Sequence, residues 1–293
     1  MTGRLVDAGD TRLFVEDRGD GPLPLFVLHG GPGLDHTQFA GHLDGLTGSC
    51  RLLLVDQRSQ GRSDPAPPDT WTLERLAADV DALAASLGLE RYAVLGHSFG
   101  AFVALQHAID FAGRPVASII SAGVPDASFL DVVEGNLAAF APEDLREQVT
   151  ASWAREAGAQ TPQECREIFS DQLPFHFADP RDPRIDTVRA GLGEMVFAPD
   201  VLRAAAGEAY GGIHLTGRLA EITQPLLVLA GRHDRVCSVQ ASQAIADGVP
   251  HARLVVFEDS AHMMFIEEEA AYVSAVSAFL SATAEPPTRA RRA

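Results

Sequence analysis

No lysine occurs in the 293 residues. All 23 basic residues are arginine, against 40 acidic ones, for a formal net charge of −17 at pH 7. Without a lysine amine the chain can form neither a Schiff base nor a lysine-anchored pyridoxal phosphate site, and a P-loop nucleotide site is excluded for the same reason. Basic residues massed on one face, which a nucleic-acid binder needs, are also missing. The nearest cluster is Arg289, Arg291 and Arg292 at the end of the sequence. Asn136 is the single asparagine, and alanine and arginine are abundant, so a GC-rich coding bias is the simplest account of the lost lysines. Three cysteines, Cys50, Cys165 and Cys237, are too few and too scattered for a disulfide framework, and no pair has CxxC spacing. No run approaches the ~20 apolar residues of a membrane span, and residues 1–10 lack the apolar stretch of a signal peptide. The expectation is a soluble, cytoplasmic protein without nucleic-acid or membrane partners, acting on a small molecule or short peptide.

What is present points to a buried core. Hydrophobic residues make up 46% of the chain, which excludes a disordered composition and suits one large domain or one domain with an insertion. Short apolar runs bounded by glycine, proline or polar residues recur at 12–17, 25–28, 51–55, 92–95 and 116–120, then at 226–230 and 253–257. Runs this short and continuously apolar are those of strands buried on both faces of a parallel sheet. Residues 72–87 carry Leu73, Leu76, Val80, Leu83 and Leu87 at helical spacing, with Thr72 as N-cap and Gly88 as the stop. Strand alternating with helix predicts an α/β fold with a mostly parallel central sheet flanked by helices. Residues 126–222 break the pattern, with polar helical stretches at 142–158 and 162–172 and a proline-rich interruption at 179–183. A last helical stretch covers 267–280. The expected organisation is a core of residues 1–125 and 223–284, split by a helical insertion at 126–222 and followed by a disordered tail at 285–293.

The candidate chemistry gathers at the carboxyl ends of these runs. Gly96-His97-Ser98-Phe99-Gly100 follows one strand-like run and precedes a helical stretch at 101–109. A tight strand-to-helix turn pushes one residue into a strained, exposed position and needs small flanking residues to avoid collision. The helix that follows offers unpaired N–H groups and a positive dipole end, so Ser98 is placed as a nucleophile. Its hydroxyl needs a base, and the base needs an orienting carboxylate. Asp234 and His262 lie just past the runs 226–230 and 253–257, on the rim that carries Ser98. His233 competes as base, although its loop would have to turn inward. Asp259 competes as acid, although it is awkwardly close to His262 in sequence. His29-Gly30-Gly31-Pro32-Gly33 lets the backbone approach a substrate, so the Gly31 and Phe99 amides are the expected oxyanion hole, with His29 bracing the loop.

These residues resemble the α/β-hydrolases, whose triad order is also Ser, Asp, His, and within that fold the proline iminopeptidase group of serine peptidases. The markers are His29 to Gly33, Asp56-Gln57-Arg58-Ser59-Gln60-Gly61-Arg62-Ser63-Asp64, and the Ser98 turn. The similarity spans residues 12–124 and 223–282 and fades through the insertion, which would be the family's helical cap. The resemblance implies Ser98 as nucleophile, Asp234 as acid, His262 as base, and neither metal nor cofactor. Two departures stand out. Gly-His-Ser-Phe-Gly, common in esterases, replaces the Gly-Gly-Ser-Trp-Gly of many of these peptidases, and Ser59 replaces the glycine usual after Asp-Gln-Arg. An esterase or lactonase with the same machinery therefore stays open, as does a ligand-binding or signalling protein on a hydrolase scaffold. Epoxide hydrolases and haloalkane dehalogenases normally need a carboxylate where Ser98 stands.

Removing an N-terminal proline requires holding an ammonium group, which the group does with cap carboxylates, since a desolvated cation without a counter-ion binds poorly. Of Glu134, Glu194 and Glu208, the latter two lie in the more apolar stretch 192–210, and one or both of them are expected to face the pocket. The plainer alternative for each is a solvated surface charge. Phe99, Phe102, Phe129, Trp153, Phe175 and Phe177 are candidates to line an apolar pocket or simply to pack.

Overall fold

The computed structural model describes residues 2–207 and 212–284. The apolar runs lie side by side as strands β1 (Thr2–Asp7), β2 (Arg12–Arg18), β3 (Leu23–Leu28), β4 (Cys50–Val55), β5 (Ala93–His97), β6 (Ala117–Ser121), β7 (Leu226–Gly231) and β8 (Ala252–Phe257). They form one sheet in the order β1-β2-β4-β3-β5-β6-β7-β8. The β1–β2 and β2–β4 pairs are antiparallel, and all pairs from β4–β3 to β7–β8 are parallel. Strands β5, β6 and β7 are buried at every position, as strands covered on both faces must be. At the edge, β8 is only partly buried. The opposite edge strand, β1, was not legible as an apolar run. It needs a single apolar face, and it pairs Leu5 with Phe14 and Val6 with Leu13.

Helix α1 (Leu73–Ser86) begins at Thr72, whose side chain accepts from Arg75 N, and it buries Leu73, Leu76, Val80 and Leu83. Gly88, at φ +66°, supplies the left-handed residue that ends it. Helix α2 (Phe99–Asp110) is buried almost throughout and packs on α1, β5 and β6. Between β6 and β7 lie α3 (Val132–Ala138), α4 (Glu143–Arg155), α5 (Pro162–His176), α6 (Arg184–Gly191) and α7 (Pro199–Gly207). A capping box of Thr161 and Glu164 starts α5. The seven to nine residues of α3, α6 and α7 are too few for periodicity to stand out in the sequence. The helical stretch near the end divides at Glu268 into Met264–Glu267 and Glu269–Ala284. Among the described residues no helix is long and apolar enough to cross a membrane. The expectation for residues 285–293 lies outside the described residues.

A buried ionic cluster fixes the loops that follow β3 and β4. His36 Nδ1 is 2.5 Å from Asp56 Oδ1, and its Nε2 is 3.0 Å from Glu16 Oε2. Asp56 also accepts from the His36 and Arg62 amides, and Asp35 accepts from Arg62 Nη1 and from Val196 N, which precedes α7. Burial opposes the charged imidazole, but the hydrogen bond and charge of Asp56, with Asp35 and Glu16, outweigh it and raise the His36 pKa. Burial likewise opposes the ionised Asp56, where contact with His36 wins and the pKa is lowered. A raised histidine contributes stability that is complete below its unfolded value and is lost as pH rises through the folded one. The melting-temperature gap between wild type and His36→Gln should therefore be widest near about pH 6 and narrow steadily above it. Calorimetry would read this directly, and a gap constant to alkaline pH would mean that the imidazole acts by shape alone.

Candidate active site

Strand β5 turns into α2 through one residue, Ser98, whose φ of 55° and ψ of −120° are strained for an L residue at a cost of about 1–3 kcal/mol. The neighbouring glycines make the turn possible. A Cβ on Gly96 would lie 2.0 Å from Gly100 O, and one on Gly100 would lie 2.3 Å from Leu28 O. The turn is thus pressed against the end of β3, which brings the loop after β3 to the serine: a Cβ on Gly30 would stand 3.1 Å from Ser98 Cβ. His29 braces that loop, as its sequence position suggested. Its Nδ1 is 2.8 Å from Gly30 O, while Nε2 accepts from Gln57 N at 3.2 Å. Burial lowers its pKa, so the ring is neutral and donates from Nδ1. The Gly30 and Gly33 amides donate to Gln38 Oε1 and Gln60 Oε1, and Gly31 lies between them at φ +111°. Phe99 is the first residue of α2, where no intrahelical carbonyl can accept the amide.

Asp234 and His262 follow the adjacent strands β7 and β8, and the structure brings them together. His262 Nδ1 lies 2.8 Å from Asp234 Oδ2, and Asp234 Oδ1 accepts from Val236 N at 2.8 Å and Cys237 N at 2.9 Å. The competitors do not share this site, because His233 and Asp259 are both exposed. The His262 ring stands between His97 and His176, with centroids 5.0 Å from each. Burial holds the His97 pKa well below the ordinary value, and burial followed by the charge of His262 takes His176 down to about 3. Two neutral rings therefore flank His262 and add no positive charge to it.

Ser98, Gly31 and His262 line a common cavity of about 160 Å³ whose walls are largely apolar. Phe102 and Trp153 line it, as does Phe169, which the sequence reading did not single out. Phe175 and Phe177 are core residues instead, and Phe99 and Phe129 are not among the lining residues. The expectation for Glu194 fails: it is exposed, while Leu192, Met195 and Phe197 around it are buried. The apolar residues of that segment take the inward positions and leave Glu194 the solvent side. Glu134 is exposed as well, and Glu208 lies outside the described residues. Among the described residues, the acidic one that lines the cavity is Glu156, only 5% exposed, which accepts from Gln172 Nε2 at 2.6 Å. Its signal was present in the sequence. Val149, Ser152 and Glu156 are all buried, and their spacing of three and four continues one face of α4 into the turn that follows.

Among the described residues, two groups of side chains are close enough to share a metal ion, Asp234 with Cys237 and His262, and Asp35 with His36 and Asp56. In each, imidazole–carboxylate hydrogen bonds already engage the donor atoms, and burial pushes the Cys237 thiol well above its ordinary pKa, away from the thiolate a metal would need.

The family model for the alpha/beta hydrolase fold matches residues 24–269. A proline iminopeptidase of Clostridium botulinum is 26% identical over 273 residues, covering 88% of this chain and 89% of that protein. One from Lactiplantibacillus plantarum is 28% identical over 279 residues, covering 92% and 95%. Among solved structures, the Mycobacterium smegmatis proline iminopeptidase aligns with a TM-score of 0.75 at 23% identity, over 96% of this chain and 98% of that one. A thermophilic esterase from Thermogutta terrifontis gives 0.73 at 21% identity, over 97% and 99%. A match across residues 24–269, on a sheet of this order with a strained serine at the end of β5, makes the chain a member of the α/β-hydrolase family that resembles the proline iminopeptidases.

Proposed function

We propose that the chain is a serine hydrolase that works through an acyl-enzyme, with Ser98 as nucleophile, His262 as base and Asp234 as the acid orienting it. The observation that carries this reading is the 2.8 Å contact between His262 Nδ1 and Asp234 Oδ2 beside the cavity that Ser98 lines. Asp234 keeps the imidazole proton on Nδ1, which leaves Nε2 to accept the serine proton. The Ser98 oxygen then attacks the substrate carbonyl, and the Gly31 and Phe99 amides receive the developing oxyanion. His262 returns its proton to the leaving group, and water repeats the sequence to free Ser98. The chemistry calls on no cofactor. Residues from α4 and α5, among them Trp153, Gln172 and His176, reach the cavity, which supports the helices between β6 and β7 as a cap over the site.

The substrate is proposed to be a small peptide or amide with a free N-terminal amine, proline first among candidates. An ammonium taken from water without a counter-charge costs several kcal/mol, and Glu156 supplies a carboxylate at the cavity wall, in the part first expected of Glu194. The relatives named proline iminopeptidase support the same class. A small ester is the second reading, favoured by the Gly-His-Ser-Phe-Gly turn and the apolar walls.

Turnover of a proline arylamide and of a short-chain nitrophenyl ester, measured side by side, separates the two. The amide should be the better substrate by kcat/KM. Ser98→Ala should lose turnover of both by as much as about 10⁶-fold, the size seen in a well-studied triad, and retained activity would remove the serine from the mechanism. Glu156→Gln should raise KM for the arylamide by about tenfold or more while leaving the ester within about threefold, as the loss of one ionic contact to one substrate requires. Equal behaviour toward both substrates in that variant would favour the ester reading.

A further inference from the structure

Helix α5 ends at His176, and its last carbonyls have no intrahelical donors. The carbonyls of Phe175, His176, Phe177 and Ala178 all find theirs in the two loops that carry Asp234 and His262. Arg235 Nη1 donates to Phe175 O at 3.1 Å and to Phe177 O at 2.7 Å, and its Nη2 donates to Ala178 O at 3.2 Å. His176 O accepts from the His262 amide at 3.0 Å and from the Met263 amide at 3.3 Å. On the other side Glu267 bridges the same segment to the histidine loop, accepting from Ala178 N and Ala261 N at 2.7 and 2.8 Å. The two loops touch directly nearer the sheet, where Arg232 N donates to Phe257 O and His233 N to Ser260 O. Beyond that point, residues 235, 262 and 263 are held by the end of α5, and Ala261 is joined to it through Glu267.

Arg235 is also held in place itself. Its guanidinium lies 5.3 Å from the centroid of the Phe140 ring, and its carbonyl accepts from Asn136 Nδ2 of α3 at 2.8 Å. Helix α5 is anchored independently by Cys165, Ile168, Leu173 and Phe175, all buried. Cutting the tether should therefore move the loops rather than the helix.

We propose that Arg235 is a positioning residue: by binding the end of α5 it fixes the Asp234 loop against the same four-carbonyl segment that fixes His262, and so sets the Asp234–His262 contact. This rests on the triad reading above. It makes the cap helix part of the catalytic frame as well as of the pocket. A planar guanidinium suits the task because one rigid fork can address several carbonyls at once.

The test compares Arg235→Gln, Arg235→Lys and Glu267→Gln with wild type, with Ser98→Ala and with Arg232→Gln, whose arginine is exposed and pairs with Glu258. Two readouts are taken on folded protein: kcat and KM for a nitrophenyl acetate, which is too small to need the cap, and the rate of Ser98 phosphonylation by a fluorophosphonate. Arg235→Gln should lower kcat and the phosphonylation rate together by about 30-fold with KM within about threefold, the pattern of an interaction that acts in the transition state. Glu267→Gln should show the same pattern, Arg235→Lys should recover at least about a third of the lost rate, and Arg232→Gln should match wild type. If Arg235→Gln does not fold, Glu267→Gln and Arg235→Lys carry the comparison. Wild-type kcat and phosphonylation in Arg235→Gln, or in Glu267→Gln where the former does not fold, would overturn the proposal. So would a loss confined to KM. A Ser98→Ala protein that still turns over would instead overturn the triad reading itself, so the two failures are distinguishable.

Discussion

The site depends on one close approach. Ser98 can hold a left-handed backbone between β5 and α2 because glycines at 96 and 100 let the turn close on itself and rest against the end of β3. Any side chain at Gly100 would run into the Leu28 and His29 carbonyls, so the spacing between α2 and β3 is set by the absence of a Cβ. That spacing carries the glycine-rich loop to Ser98. The same packing leaves the start of α2 with amides that no helical carbonyl uses, beside a residue whose strain exposes it. Fold and candidate chemistry meet at this turn, because relaxing the backbone at Ser98 would move α2 off the sheet.

The loops around the site are held by buried polar groups that pair with one another. Although the chain carries a formal charge of −17, its buried charges come with partners. Arg58 forks onto Asp79 at 2.8 and 2.5 Å, and His36 sits between Asp56 and Glu16. An unpaired charge in these positions would cost several kcal/mol, so the loops that carry them have little freedom to rearrange. The same logic works without charge pairing at the end of α5, where the helix's own unsatisfied carbonyls become the attachment point for loops from two strands. Arginine suits the first and the last of these environments better than lysine would, since its planar fork meets carboxylates and carbonyls with less loss of freedom. A chain with no lysine is not handicapped here, because the proposed chemistry uses a hydroxyl, an imidazole, a carboxylate and backbone amides.

Much of the fold was legible because buried parallel strands announce themselves as short apolar runs, and α1 shows both its stripe and its cap in the sequence. The edge strand β1 was not, since a strand covered on one face has no continuous apolar run to show. The short helices α3, α6 and α7 gave too few turns for a period. At the site, the strand-end positions of Ser98, Asp234 and His262 could be read because strand boundaries could be read. The pocket's carboxylate could not be chosen from local composition. Glu194 sits among apolar residues yet faces solvent, while Glu156, at the end of a polar helix, is turned inward by the phase of Val149 and Ser152.

The sequence by itself determined the alternation of strand and helix, the glycine-flanked turn at Ser98 and the rim on which the candidate residues fall, all of which follow from local periodicity and local sterics. Only the tertiary structure decided which histidine meets which aspartate, and that four carbonyls at the end of α5 bind the loops of both Asp234 and His262. Those outcomes turn on hydrogen bonds between segments 28 to 89 residues apart, and such contacts depend on how separate elements dock, which no local pattern records.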